Sequence, residues 1–210
     1  MNQQVGEQMH DGLRWLPGSF PEGFSVTFCE GLSGLDLLQR LGANPECALS
    51  LRRDQAEIID IYNRSPESVD LDSFDLDEDE LNDKGFLERG IEVVRAGENG
   101  RWAFTIQSFG AYSATTRRAK SVSQGTRFIS FNRTVNTASW VQYALNGHLI
   151  QSFDPLHPQM NTPGGVPFPG LVKAEDPGMR VLQVLEESLG LSIPRSSNQT
   201  GLLSVPLGRA

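Results

Sequence analysis

Ile91-Glu-Val-Val-Arg-Ala-Gly-Glu-Asn-Gly-Arg-Trp-Ala-Phe-Thr-Ile-Gln-Ser-Phe109 decides the fold class. Residues 91–96 and 101–109 read as strands around Asn99-Gly100, a pair that tolerates the positive φ of both central positions of a type I′ turn. Trp102, Phe104 and Ile106 then share one face. A second hairpin follows downstream, where residues 139–145 and 148–153 flank Asn146-Gly147 and place Val141, Tyr143 and Leu145 together. Strands joined by such tight turns must pair antiparallel. The expectation is therefore an α+β domain, with a mostly antiparallel sheet of five or six strands and helices packed on one face.

Working outward, residues 24–29 alternate strictly, with Phe24, Val26 and Phe28 on one face of a half-buried strand. Ser33 and Asp36 form a capping-box start for a helix over residues 35–41, and Gly42 supplies its left-handed stop. Residues 49–63 read as helical, although 58–62 also fit a strand. A short helix over 114–122 and a strand over 126–133 fill the space between the hairpins. Asp176-Pro177 opens a last helix, with Met179, Leu182, Leu185 and Leu189 on one face and Gly190 at its end. This organisation gives an N-terminal arm at 1–23 and a single domain at 24–191. The domain carries an acidic insert at 67–83 and a Pro/Gly-rich loop at 154–175, and 192–210 is a loosely held C-terminal tail.

A chain of 210 residues and 23.1 kDa, 38% hydrophobic, can bury a core without disulfide or metal staples. Cys29 and Cys47 lack any CxxC or Cys/His spacing and are expected as free thiols rather than a bridge. The polar start has no basic-then-apolar leader, and no apolar run reaches membrane-spanning length, so a soluble, cytoplasmic protein is expected. Net charge is −8 and unevenly placed. Nine acids and no base lie between Glu67 and Asp83, while residues 99–153 contain no Asp or Glu at all. Overall acidity disfavours nucleic acid as a partner.

No familiar chemistry emerges from motif spacing. Starting an EF-hand at Asp75 puts Glu80 where glycine must turn, and no register supplies both that turn and the closing Glu. Phosphate loops, dinucleotide fingerprints, a Gly-x-Ser-x-Gly elbow and His-Glu-x-x-His are missing, so no metal or cofactor is expected. Cys29 and His148 are weak candidates for a nucleophile and base, since a strand cysteine is more often a buried core residue. The acidic run, with Asp75, Asp77, Glu78, Asp79 and Glu80 at its centre, is read as a docking surface against the plainer alternative of a solvated loop. Arg117, Arg118, Lys120, Arg127 and Arg133 are read as a basic patch, against the plainer alternative of solvated charge or pairing with the chain's own acids.

Gly100-Arg-Trp-Ala-Phe104, Ser123-Gln-Gly-Thr126, Phe131-Asn-Arg-Thr-Val135, Tyr143-Ala-Leu-Asn-Gly-His-Leu149 and Phe153-Asp-Pro155 together resemble an uncharacterised bacterial family, common in actinomycetes and known as a domain of unknown function. The likeness extends over roughly residues 13–191. Members of that family often carry an acid where Gln107 stands, and the acidic insert is atypical of them. The resemblance implies a single domain and no particular activity. The functional expectation is a non-enzymatic protein-interaction module, regulatory, immunity-like or accessory, that meets a basic partner through segregated charge. The alternative is a small-molecule-binding protein or enzyme with a pocket between sheet and helices.

Overall fold

The computed structural model describes residues 11–109, 115–157 and 175–208. Eight strands form one antiparallel sheet: β1 (Gly23–Glu30), β2 (Leu49–Leu51), β3 (Ile91–Asn99), β4 (Trp102–Gln107), β5 (Arg127–Thr134), β6 (Ser139–Leu145), β7 (His148–Phe153) and β8 (Leu202–Gly208). Their spatial order is β2-β8-β3-β4-β1-β5-β6-β7, which leaves β2 and β7 as the edges. The helices are the short turn α1 (Leu16–Ser19), α2 (Gly34–Arg40), α3 (Arg53–Tyr62), α4 (Glu78–Asp83), α5 (Thr116–Val122) and α6 (Pro177–Leu189).

The expected α+β class and antiparallel pairing hold, but the sheet has eight strands rather than five or six. The six expected strands all form. One addition, β2, is three residues long and runs almost directly into α3, so its leucines read as the helix's own pattern. The other, β8, lies in the tail expected to be loosely held, and instead pairs with both β2 and β3. Pro206 argues against an inner strand, because it cannot donate to a ladder. It is accommodated because β2 ends opposite Ser204, short of it. Opposite Pro206 on β3, the Val93 N–H donates to the Asp60 carboxylate of α3 at 2.9 Å.

Helices cover both faces, not one. Along β1 both alternating sets are buried, so neither side of the strand meets water. Phe24, Val26 and Phe28 pack with Phe104, Ile129, Phe131 and the Val181, Leu182 and Leu185 face of α6. On the opposite side Cys29, Ala103, Phe128 and Ala144 pack beneath Leu37, Leu38 and Leu41 at α2 and Ala119 and Val122 of α5. A third cluster joins Ala56 and Ile59 of α3 to Leu71, Leu76, Leu81 and Phe86 of the acidic segment, against Val93. Residues assigned to the flanking arm and tail belong to the same cores. Leu13, Leu16 and Phe20 are buried beside α6, and the Trp15 indole donates to the Ile193 carbonyl at 3.1 Å.

Both turns are tight, yet they differ. Asn146 and Gly147 have φ of 50° and 80°, as a type I′ turn needs. In the first hairpin Asn99 pairs with Trp102, so Gly100-Arg101 is the turn and only Gly100, at 60°, is left-handed. That is the type II′ pattern, one residue later than expected. The capping box at Ser33 forms as read, with Ser33 accepting from the Asp36 N–H and Asp36 from the Ser33 N–H.

Candidate functional site

Within the acidic segment the apolar residues set the geometry. Leu71, Leu76 and Leu81 are buried and Phe74 half-buried, so the chain is pinned against α3 while the intervening carboxylates turn outward. Asp77 caps α4 by accepting from the Glu80 N–H at 3.0 Å. Asp70 accepts from Ser73, and Glu78 accepts from the Tyr62 hydroxyl at 3.1 Å. A broad depression of 790 Å³ is lined by Asp72, Asp75, Leu76, Asp77, Glu78 and Asp79. Among the described residues only Asp75 of these acids meets a base, Arg52 at 3.8 Å, and the Lys84 ammonium is taken up by the Glu46 carbonyl. The platform's acids are thus left to solvent on an anchored surface.

Basic residues do not assemble in the same way. Arg127 alternates with Ile129 and Phe131, which face α6, whereas α5 packs on Phe128 across the sheet. Arg127 therefore lies on the opposite face from Arg117, Arg118 and Lys120, and the expected single patch is split by strand parity. Arg127 and Arg101 share Glu30, at 3.6 and 3.1 Å, and Arg133 forms paired bonds to Asp176, both at 3.1 Å. Arg117 and Lys120 are exposed on α5.

Cys29 is wholly buried beneath α2 and α5, and burial pushes its thiol up to about 12. It is a protonated core residue at neutral pH, which removes the nucleophile. His148 opens the edge strand β7, three strands from β1 and about 14 Å away at 4.8 Å per strand, beyond proton-transfer reach. His10, Tyr112 and most of the Pro/Gly-rich loop lie outside the described residues. A thiol reagent on native protein at neutral pH should modify one cysteine, the half-buried Cys47, and reach Cys29 only on unfolding. Mass spectrometry after partial labelling reads this directly, and rapid double modification would contradict the assignment.

Sequence reading missed the most unusual part of the sheet. On the α5 face, one pleat from the apolar row Ala103–Cys29–Phe128–Ala144, the side chains become polar across five adjacent strands. Thr105, Thr27, Ser130, Gln142 and Ser152 stand in register, and beside them run Gln107, Ser25, Asn132 and Trp140. Ser25, Thr27, Thr105, Gln107, Ser130 and Gln142 are all buried. Gln142 donates to Thr116 of α5 and to Ser152, yet its Oε1 and the Ser25 hydroxyl meet no partner among the described residues. Strict alternation in β1 marks Ser25 and Thr27 as a solvent face, so burial of that face was invisible. Glu92 extends the second row, accepting from Gln107 Nε2 at 3.3 Å.

Among the described residues no group of three metal-ligating side chains converges, and no helix is long and apolar enough to cross a membrane. A family model described as a family of unknown function, DUF6461, matches residues 12–167. The chain belongs to this family. The DUF6461 match takes in β1 to β7 and ends before α6 and β8, although both complete the cores. No curated protein and no solved structure matches the chain.

Proposed function

We propose that this DUF6461 protein is a cytoplasmic, non-enzymatic interaction module whose acidic platform docks a protein partner with a basic surface. The observation that carries the reading is the combination of anchored leucines and exposed carboxylates between Asp72 and Asp79, of which only Asp75 meets a base among the described residues. A mobile acidic loop would lose entropy on binding, whereas a platform already held by Leu71, Leu76 and Leu81 loses little. Clustered charge of one sign speeds encounter with the opposite sign and screens out like-charged partners. The arginines contribute less than the sequence suggests, because Arg101, Arg127 and Arg133 are engaged within the fold.

The test is affinity purification from the native host, comparing wild type with D75N/D77N/D79N. A stoichiometric basic partner should be retained by wild type at about 0.1 M salt, lost at about 1 M, where screening shortens to about 3 Å, and lost by the triple variant at either. Retention that ignores both salt and the triple substitution would rule the platform out. The three positions are exposed, so the variant should fold normally.

A further inference from the structure

On the α5 side of the sheet, where the polar rows run out towards β7, Trp140 is left 42% exposed. The chain's other two tryptophans, Trp15 and Trp102, are buried. Trp140 Nε1 donates to the Ser152 hydroxyl of β7 at 3.0 Å, which holds the indole across the last two strands. Ser152 also accepts from the Gln142 amide at 3.5 Å, and the same amide donates to the Thr116 hydroxyl at 3.4 Å. One run of hydrogen bonds thus joins the indole to the first turn of α5, where Thr116 is exposed. On the other flank Asn132 of β5 stands directly opposite Trp140 and on the same face, a placement that sets the two Cβ atoms about 5 Å apart. The Asn132 amide is half-buried and makes no side-chain hydrogen bond among the described residues. Beyond the end of β7, Asp154 bonds the Leu156 N–H at 2.9 Å and lines the cavity that Arg133 and Asp176 share.

A large aromatic ring is therefore fixed by its N–H, open on its outer side, and flanked within the sheet by neutral amides and hydroxyls. The ring suits a ligand with a flat apolar side, because aromatic faces gain most from broad contact. Amides and hydroxyls both donate and accept, so the flanks suit a ligand rich in groups that do the same. A pyranose meets both demands at once: its C–H face lies on the indole while its equatorial hydroxyls reach Asn132 and Thr116. A cation would gain one aromatic face but no negative charge from Asn132, Gln142, Ser152 or Thr116. An anion would find the adjacent sheet base, Arg133, turned to the other face and committed to Asp176. We infer that this face binds a neutral saccharide, one pyranose ring stacked on Trp140 and hydrogen-bonded by Asn132 and Thr116. This goes beyond the acidic platform and does not depend on it.

Titration of the full chain with maltose, cellobiose, lactose, chitobiose and trehalose tests the inference, read by calorimetry and by tryptophan fluorescence. At least one should bind with Kd of about 1 mM or tighter and shift the emission to the blue, since the exposed tryptophan is the one being covered. W140A should abolish the heat of binding, W140F should retain part of it, and N132A should weaken it about tenfold. Trp140 is exposed, so W140A should melt as wild type does and separate binding from folding. D75N/D77N/D79N should bind the sugar unchanged. Choline, which stacks on an indole through its charge, should not displace it. The inference is overturned if none of the disaccharides binds, if W140A binds as tightly as wild type, or if choline competes.

Discussion

A chain stopped after Gly201 is expected not to fold. The cut removes β8, and with it the partner of both β2 and the first six residues of β3. Val205 and Leu207 leave the core beneath α2, where both are buried. Two fully buried aliphatic side chains are worth about 1.5–3 kcal/mol each, and every ladder bond lost adds about 1 kcal/mol. Together these approach the whole stability of a typical domain, about 5–15 kcal/mol. Circular dichroism and thermal melting should show no cooperative transition. A synthetic peptide spanning residues 202–210, added in excess, should restore one. A truncated protein that melts within a few degrees of the full chain would show that β8 is dispensable.

The second large effect is a dependence on pH centred on Asp60. This carboxyl lies on the buried face of α3 at 5% exposure, and burial pushes it up to about 7. The Val93 N–H and Arg64 pull the other way, while Glu92 and Glu57 add to the rise. The folded state therefore binds a proton more tightly than the unfolded one. The contribution of Asp60 to stability is greatest below about pH 4, falls as pH rises towards 7, and levels off above it. A shift of three units corresponds to a loss on the order of 4 kcal/mol between those limits. Asp36, held below the usual carboxylate range by the Ser33 hydroxyl, acts in the opposite sense and only below about pH 4, outside this window. D60N keeps an acceptor for Val93 and has nothing to titrate. Denaturant unfolding at pH 5, 6, 7 and 8 should give a falling series for wild type and a flat one for D60N, with the variant more stable at pH 8. Parallel slopes would refute the assignment.

Much of this architecture could be read from residue order because the relevant physics is local. Asn146-Gly147, Ser33 with Asp36, and Asp176-Pro177 each determine a turn or a helix end from within four residues. What escaped depends on distant partners. Leu202 to Gly208 carries a proline and becomes an inner strand because the β2 ladder stops at Ser204, short of Pro206. Ser25 and Thr27 announce a wet face, and only the placing of α5 and the neighbouring strands buries them. Arg127 and Arg117 are ten residues apart in sequence yet on opposite sides of the sheet, which strand parity decides once α5 is located.

Because β8 slots between β2 and β3, the sheet cannot close while the protein is being made until Gly208 has cleared the ribosome. For most of synthesis β3 presents an unclaimed row of amides and carbonyls on one flank, the kind of margin that recruits strands from other molecules. Its nascent form should therefore be the stage most dependent on chaperone shielding.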